Sequence, residues 1–323
     1  MPDQRLLPQL EPIHLDLERV AGVLQQALDE VDEPLRSMLR DPLAGGKRLR
    51  SALVVLVGRV FAQPPEPFHY LAAAVETLHA ATLIHDDLID DASLRRGRKT
   101  LHYVWPARAT VLAGDYLLAR ATRWVAELDS PQVMRAYGQA LCKICEGEIR
   151  QTLVVKGIHR GRADYFRSIE AKSAALFAAV MEMAGILAGA SEREVVALNT
   201  YGWELGVAYQ IVDDVLDLTE DEGRLGKPIG SDLRNGLVTL PVLHYLEETG
   251  DDSPVRAVLA GQEDGVDVQA ALLAIRESGA IAASLQEASE HADRARAALE
   301  ALPDNRARRT LHDLAAVAVQ RRH

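Results

Sequence analysis

From Phe68 to Asp90 the chain meets neither glycine nor proline, is rich in Ala and Leu, and closes on Asp86, Asp87 and Asp90, with Asp91 next. A stretch of that composition reads as one long helix, because a strand would need period-2 alternation and β-branched residues. Its acidic end is harder to explain. Asp86 and Asp90 stand four apart and share a helix face, with Asp87 beside Asp86. Carboxylates favour helix N-termini and oppose the macrodipole at the other end. The same D-D-x-x-D spacing recurs in "YQIVDDVLD" as Asp213, Asp214 and Asp217, again late in an apolar helical run. An unfavourable placement kept twice points to a positively charged ligand.

A hard divalent cation suits a donor set made only of oxygen, and Mg²⁺ usually shares a few carboxylates with waters and phosphate oxygens. No EF-hand spacing and no His/Cys cluster accompanies the acids, so calcium loops and zinc sites fit poorly. Basic residues flank both clusters. Lys47 and Arg50 open a helix after two glycines in "GGKRLR", where free N–H groups add to anion binding. His79 lies two turns before Asp86 on nearly the same face, and Arg95 and Arg96 follow the first cluster directly. Lys172 interrupts an apolar helix, and Lys227 falls in the breaker-rich stretch after the second cluster. Each alone has a bland structural explanation; their grouping around two acidic helix ends favours a phosphorylated ligand.

The rest of the chain continues the helical pattern. Helices are predicted from Ile13 to about Leu39, from Lys47 through Phe61, over 106–129, 131–156, 162–188 and 191–219, and again from Pro241. Between the last two, residues 221–241 form a long loop of the kind that usually carries function. With 48% hydrophobic and only 5% aromatic residues, the chain reads as all-α. No linker divides it, so residues 1–323 are expected to form a single large helical bundle around a central cavity. A formal net charge of −11 excludes nucleic acid as the main partner while leaving room for small phosphorylated ligands. Cys142 and Cys145 read as reduced thiols, since a lone C-x-x-C lacks further metal ligands. The N-terminus lacks the pattern of a signal peptide, and no apolar run is long enough for a transmembrane anchor, so a cytoplasmic location is expected.

The segments "GGKRLR", "LHAATLIHDDLIDDASLRRG", "GDYLL", "EGEIRQ", "AKSAALF", "YQIVDDVLD" and "GKPIGSDL…TLP", in this order from residue 45 to 241, resemble the trans-type prenyl diphosphate synthases (polyprenyl synthetases). The resemblance implies the all-α isoprenoid synthase fold, a homodimer, and several Mg²⁺ ions per site. It implies that Asp86 and Asp90 with Arg95 hold an allylic diphosphate through Mg²⁺, and that Asp213, Asp214 and Asp217 hold a further ion. Lys172, Ser173, Gln210 and Lys227 would lie at the allylic diphosphate, with Lys172 and Gln210 near the reacting carbon. Isopentenyl diphosphate would bind Lys47, Arg50, His79 and Arg96. Ionisation of the allylic substrate, attack by the homoallylic double bond and loss of a proton then add five carbons. One position departs from the family: Leu237 stands where a lysine is usual.

In the same family, residues one turn before the first acidic motif limit product length. Ala81 and Thr82 are small, and a pocket left open there leads to a product of about C30 to C50, a quinone side-chain precursor. So insoluble a product would be delivered to a membrane. Other readings are a short-chain farnesyl or geranylgeranyl synthase, a terpene cyclase, a non-catalytic regulatory subunit, or a helical scaffold that only binds Mg²⁺.

Overall fold

Helix formers fill almost every periodic stretch, and the backbone obeys them. A computed structural model describes residues 7–44, 48–95, 97–153, 161–220, 229–250, 253–260 and 268–320. A short α1 (Leu7–Leu10) and a 3₁₀ turn (Glu11–Ile13) lead into α2 (His14–Asp29), α3 (Leu35–Ala44), α4 (Leu49–Val60) and α5 (Pro65–Ile89). A two-residue ribbon, β1 (Leu94–Arg95) and β2 (Arg98–Lys99), precedes α6 (Leu101–Val104), α7 (Ala107–Ala126) and α8 (Pro131–Leu153). Then come α9 (Arg162–Ile169), a π turn (Glu170–Ala174), α10 (Ala175–Leu187) and α11 (Glu192–Thr219). The remainder comprises α12 (Ser231–Arg234), α13 (Leu240–Glu248), α14 (Pro254–Leu259), α15 (Val268–Glu277), α16 (Ala280–Ala298) and α17 (Arg306–Val319).

Three departures from the periodic reading have local causes. The helix expected from Ile13 to Leu39 stops at Asp29 and restarts at Leu35. Pro34 lacks a backbone donor and disfavours α geometry at Glu33, which the apolar stripe alone does not reveal. The expected helix 162–188 is interrupted by the π turn, where the Ala175 N–H donates to the Glu170 carbonyl five residues back. The stretch "RRGRKT" contributes to an antiparallel ribbon, pairing Leu94 with Lys99 and Arg95 with Arg98.

Contacts group the residues into two compact units: 1–139, 178–201 and 298–314 form one, and 140–177, 202–297 and 315–323 the other. In the first, α4 is buried almost all round, from Leu49 to Val60, as expected of a helix apolar on every side. It packs on α5, which also contacts α7 and α2. Where α5 meets α7, Gly114 leaves room for the His85 imidazole, with which a Cβ at that position would collide. The second unit has a core that includes Tyr165, Ile169, Val207, Ile211, Leu240 and Ile275. Here α11 approaches so closely that a Cβ on Gly206 would come within 2.6 Å of the Ala174 Cα.

Among the described residues no single helix is long and apolar enough to cross a membrane. The bent pair formed by α15 and residues 280–301 passes by length and composition only when taken together, and its Ala271, Leu272, Ile275 and Ala280 are buried in the second unit's core.

Candidate active site

The first acidic cluster sits where α5 stops. Asp91 takes a left-handed conformation (φ 49°), and the Ala92 N–H reaches back to the Asp87 carbonyl at 2.9 Å, closing the helix end. Asp90 is exposed, Asp86 half-buried and Asp87 buried. Asp87 accepts a 2.6 Å hydrogen bond from the Arg95 Nε on the ribbon. Burial pushes the Asp87 carboxyl above its ordinary pKa, and the Arg95 charge opposes that rise. The chain is held in this fold-back by Thr100, whose N–H donates to the Ser93 carbonyl and whose hydroxyl donates to the Ala92 carbonyl at 2.5 Å. His102 lies behind it, its Nε2 3.5 Å from the Asp91 Oδ1.

Upstream on the same helix, His79 and Thr82 are half-buried, and the Thr82 hydroxyl donates to the His79 carbonyl. Ala81 is buried at 2% exposure. Arg50 lies half-buried in the first turn of α4. Next to it, the Arg48 Nη1 is buried without a hydrogen-bond partner among the described residues, an orphaned donor of the sort an anion would satisfy.

The second cluster uses the same spacing differently. Asp213 is exposed, while Asp214 and Asp217 are buried. Asp214 accepts from the Tyr165 hydroxyl at 2.7 Å and from the Gln210 Nε2 at 2.9 Å. The Gln210 Oε1 in turn accepts from the Ser173 hydroxyl at 2.5 Å. This chain of bonds fixes which way the Gln210 amide points. Burial drives the Asp214 carboxyl well above the ordinary range, with Asp232 adding to the rise. The Tyr165 phenol is likewise held well above its usual pKa by burial, then by the Asp214 charge. Asp217 receives the Ser231 hydroxyl at 2.8 Å and the Asp232 N–H at 3.1 Å, and so caps α12 from another element. Lys172 sits in the π turn with its Nζ 3.1 Å from the Glu148 Oε1.

Thus Ser173, Gln210 and Asp214 are joined by hydrogen bonds, as are Asp87 and Arg95. Lys47, Arg96 and Lys227 lie outside the described residues. Tyr165 carries no mark of function in the sequence and reads as an ordinary core aromatic, whereas Glu148 lies inside the motif "EGEIRQ". Leu237 is half-buried, its N–H donating to the Asp232 carbonyl. Cys142 and Cys145 are exposed free thiols on α8.

Among the described residues, no three His, Cys, Asp or Glu side chains converge into a metal cage. The half-buried or exposed Asp86, Asp90 and Asp213 nonetheless offer hard oxygen donors. Mg²⁺ is typically held by one or two carboxylates with waters and phosphates, so this donor set fits it.

Residues 32–275 match the family profile described as polyprenyl synthetase. The chain is 38% identical over 304 residues to heptaprenyl diphosphate synthase component 2 of Geobacillus stearothermophilus, covering 93% of this chain and 94% of that one. It is 37% identical over 280 residues to octaprenyl diphosphate synthase of Escherichia coli, covering 86% of each. Its fold is similar to a crystal structure of polyprenyl synthase from Caulobacter crescentus complexed with calcium and isoprenyl diphosphate, with a TM-score of 0.90 at 36% identity over 99% of this chain and 98% of that one.

Proposed function

Because the chain belongs to the polyprenyl synthetase family, we propose that it is a Mg²⁺-dependent prenyltransferase making a long-chain all-trans polyprenyl diphosphate. It joins isopentenyl diphosphate to an allylic diphosphate and repeats the step to about C30 to C50, a length that an apolar tunnel must accommodate. The observation that carries the reading is the doubled D-D-x-x-D arrangement, each with a carboxylate left toward solvent and one hydrogen-bonded inward.

Asp86 and Asp90 would hold Mg²⁺ for the allylic diphosphate, and Asp213, with Asp214 and Asp217, would hold a further ion. Arg95, Lys172 and Lys227 add fixed positive charge to the departing group. When bound, Mg²⁺ neutralises charge on that leaving diphosphate. Ser173 and Gln210, locked by their mutual hydrogen bond, present oriented dipoles where the allylic cation develops, in keeping with electrostatic preorganisation. Lys47, Arg50, His79 and Arg96 bind isopentenyl diphosphate through charge-assisted hydrogen bonds. The homoallylic double bond of that substrate attacks the cation, and the released diphosphate takes the proton.

Two features support the long product: the relatives are named heptaprenyl and octaprenyl synthases, and Ala81 and Thr82 are small. A homodimer is supported by Tyr103, Val104, Val111 and Leu112, large apolar side chains exposed on α6 and α7. The name "component 2" of one relative favours a second possibility, a required partner subunit. The enzyme works in the cytoplasm and releases its product to a membrane. Purified protein incubated with Mg²⁺, labelled isopentenyl diphosphate and geranyl, farnesyl or geranylgeranyl diphosphate should yield long labelled chains. Absence of incorporation, alone and with a candidate partner, would overturn the synthase reading; products that stop at farnesyl or geranylgeranyl length would overturn only the chain length.

A further inference from the structure

The start of α4 is capped from another helix. Its N-cap residue, Arg48, is left-handed (φ 50°, ψ 29°) and makes no side-chain cap. The first N–H groups of a helix need outside acceptors, and the one at the third position is normally served by the N-cap side chain. Here that residue is Ser51, which is fully buried. The Glu76 Oε1, from α5, accepts both the Ser51 N–H at 3.1 Å and the Ser51 hydroxyl at 3.0 Å. The hydroxyl also lies 3.4 Å from the Ala72 carbonyl.

Neighbours give this tie its meaning. Arg50 immediately precedes Ser51 in the first turn of α4, and His79 stands one turn after Glu76 on α5. The carboxylate therefore fastens the turn that carries Arg50 to the turn that carries His79. A negative charge beside an anion site works against affinity for the anion, so a gain in Coulomb energy does not explain it. Fixed spacing does, because a diphosphate bridging two donor side chains on separate helices is sensitive to displacements of about 1 Å.

We propose that Glu76, acting through Ser51, is a positioning residue for isopentenyl diphosphate: it sets the distance between Arg50 and His79 and touches neither substrate. This rests on the assignment of Arg50 and His79 to that substrate. A tie serving only the core would alter thermal stability and leave the two Michaelis constants in proportion.

Steady-state kinetics of Glu76→Ala, Glu76→Gln and Ser51→Ala test it, with Arg50→Ala and His79→Ala as references. Glu76→Ala should raise the KM for isopentenyl diphosphate at least about tenfold, with kcat and the allylic KM within about twofold. Glu76→Gln keeps an oxygen acceptor and should recover the KM to within about threefold of wild type. Ser51→Ala, which retains the backbone bond and serves should Glu76→Ala not fold, should raise the same KM about threefold. The positioning role is overturned if both KM values rise together, if Glu76→Gln is as impaired as Glu76→Ala, or if neither Glu76→Ala nor Ser51→Ala moves the isopentenyl diphosphate KM. In the last case, a raised KM in Arg50→Ala and His79→Ala leaves the substrate assignment standing. An unchanged KM in those two as well overturns the assignment with it.

Discussion

The two acidic clusters share one spacing and differ in the donor that meets their inward carboxylate. At the end of α5, Asp87 meets the cationic Arg95. Near the end of α11, Asp214 meets two neutral donors, Tyr165 and Gln210, and Asp217 also caps α12. The first cluster ends its helix, with Asp90 exposed at the C-cap; the second lies within its helix, leaving Asp213 outward. Three aspartates at equal spacing are thus not three equivalent ligands. The outward carboxylates face solvent, and the inward ones also hold neighbouring elements in register.

The largest effect separates the outward carboxylates from the rest. Asp86→Ala and Asp213→Ala should each lower turnover by about 10³-fold or more while the protein stays folded, measured by labelled isopentenyl diphosphate incorporation and circular dichroism. A mild defect in one of the two would show the clusters to be unequal in catalysis.

Next comes the cation against the neutral donors. Arg95→Gln leaves the buried Asp87 short of its charged partner and should destabilise the fold by about 1–3 kcal/mol in urea unfolding. Tyr165→Phe removes one neutral donor from Asp214 and should cost about 1 kcal/mol. Equal costs would erase the difference between a charged and a neutral partner.

Ser231→Ala probes the capping role of Asp217 and should cost about 0.5–1 kcal/mol by the same unfolding measurement, since the Asp232 N–H remains bonded.

The smallest signal is a slope. Because the fold holds the Asp214 carboxyl above its ordinary pKa, the folded state keeps a proton that the unfolded chain has released. That stabilisation is fully present below the ordinary carboxylate pKa and is lost as pH rises toward the folded value. Asp214→Asn should therefore lose less thermal stability than wild type as pH rises above the ordinary carboxylate range. A parallel decline in both proteins would contradict the assigned direction.

Much of this architecture is legible in the sequence because helical periodicity and acid spacing are local properties of the chain. The long helices α5 and α7 are runs rich in Ala and Leu, α8 and α11 keep an apolar helical spacing, and three of the four begin at or just after Pro65, Pro106 and Pro131. The carboxylate positions are set by D-D-x-x-D itself. The features that the sequence hides depend on partners distant along the chain. Nothing local distinguishes Asp214 from Asp213, since Tyr165 is 49 residues away. Glu76 reads as one more charge on an apolar helix until Ser51, 25 residues earlier, is seen against it. The break at Pro34 is local and still masked, because apolar residues on either side keep the stripe apparently continuous.

The π turn at Glu170–Ala174 acts as a phase shifter. Each inserted residue rotates the downstream helix by about 100° relative to the upstream one, so α9 and α10 obey two different helical wheels. A single wheel drawn from Arg162 to Leu187 blends their faces and blurs the core stripe of both. The insertion also lets Ala174 press against Gly206 while Lys172 and Ser173, its immediate predecessors, reach Glu148 and Gln210. Adding or removing one residue there would change the angular address of every side chain downstream in α10, which makes this short turn a poor place for an insertion or deletion and a natural boundary for grafting.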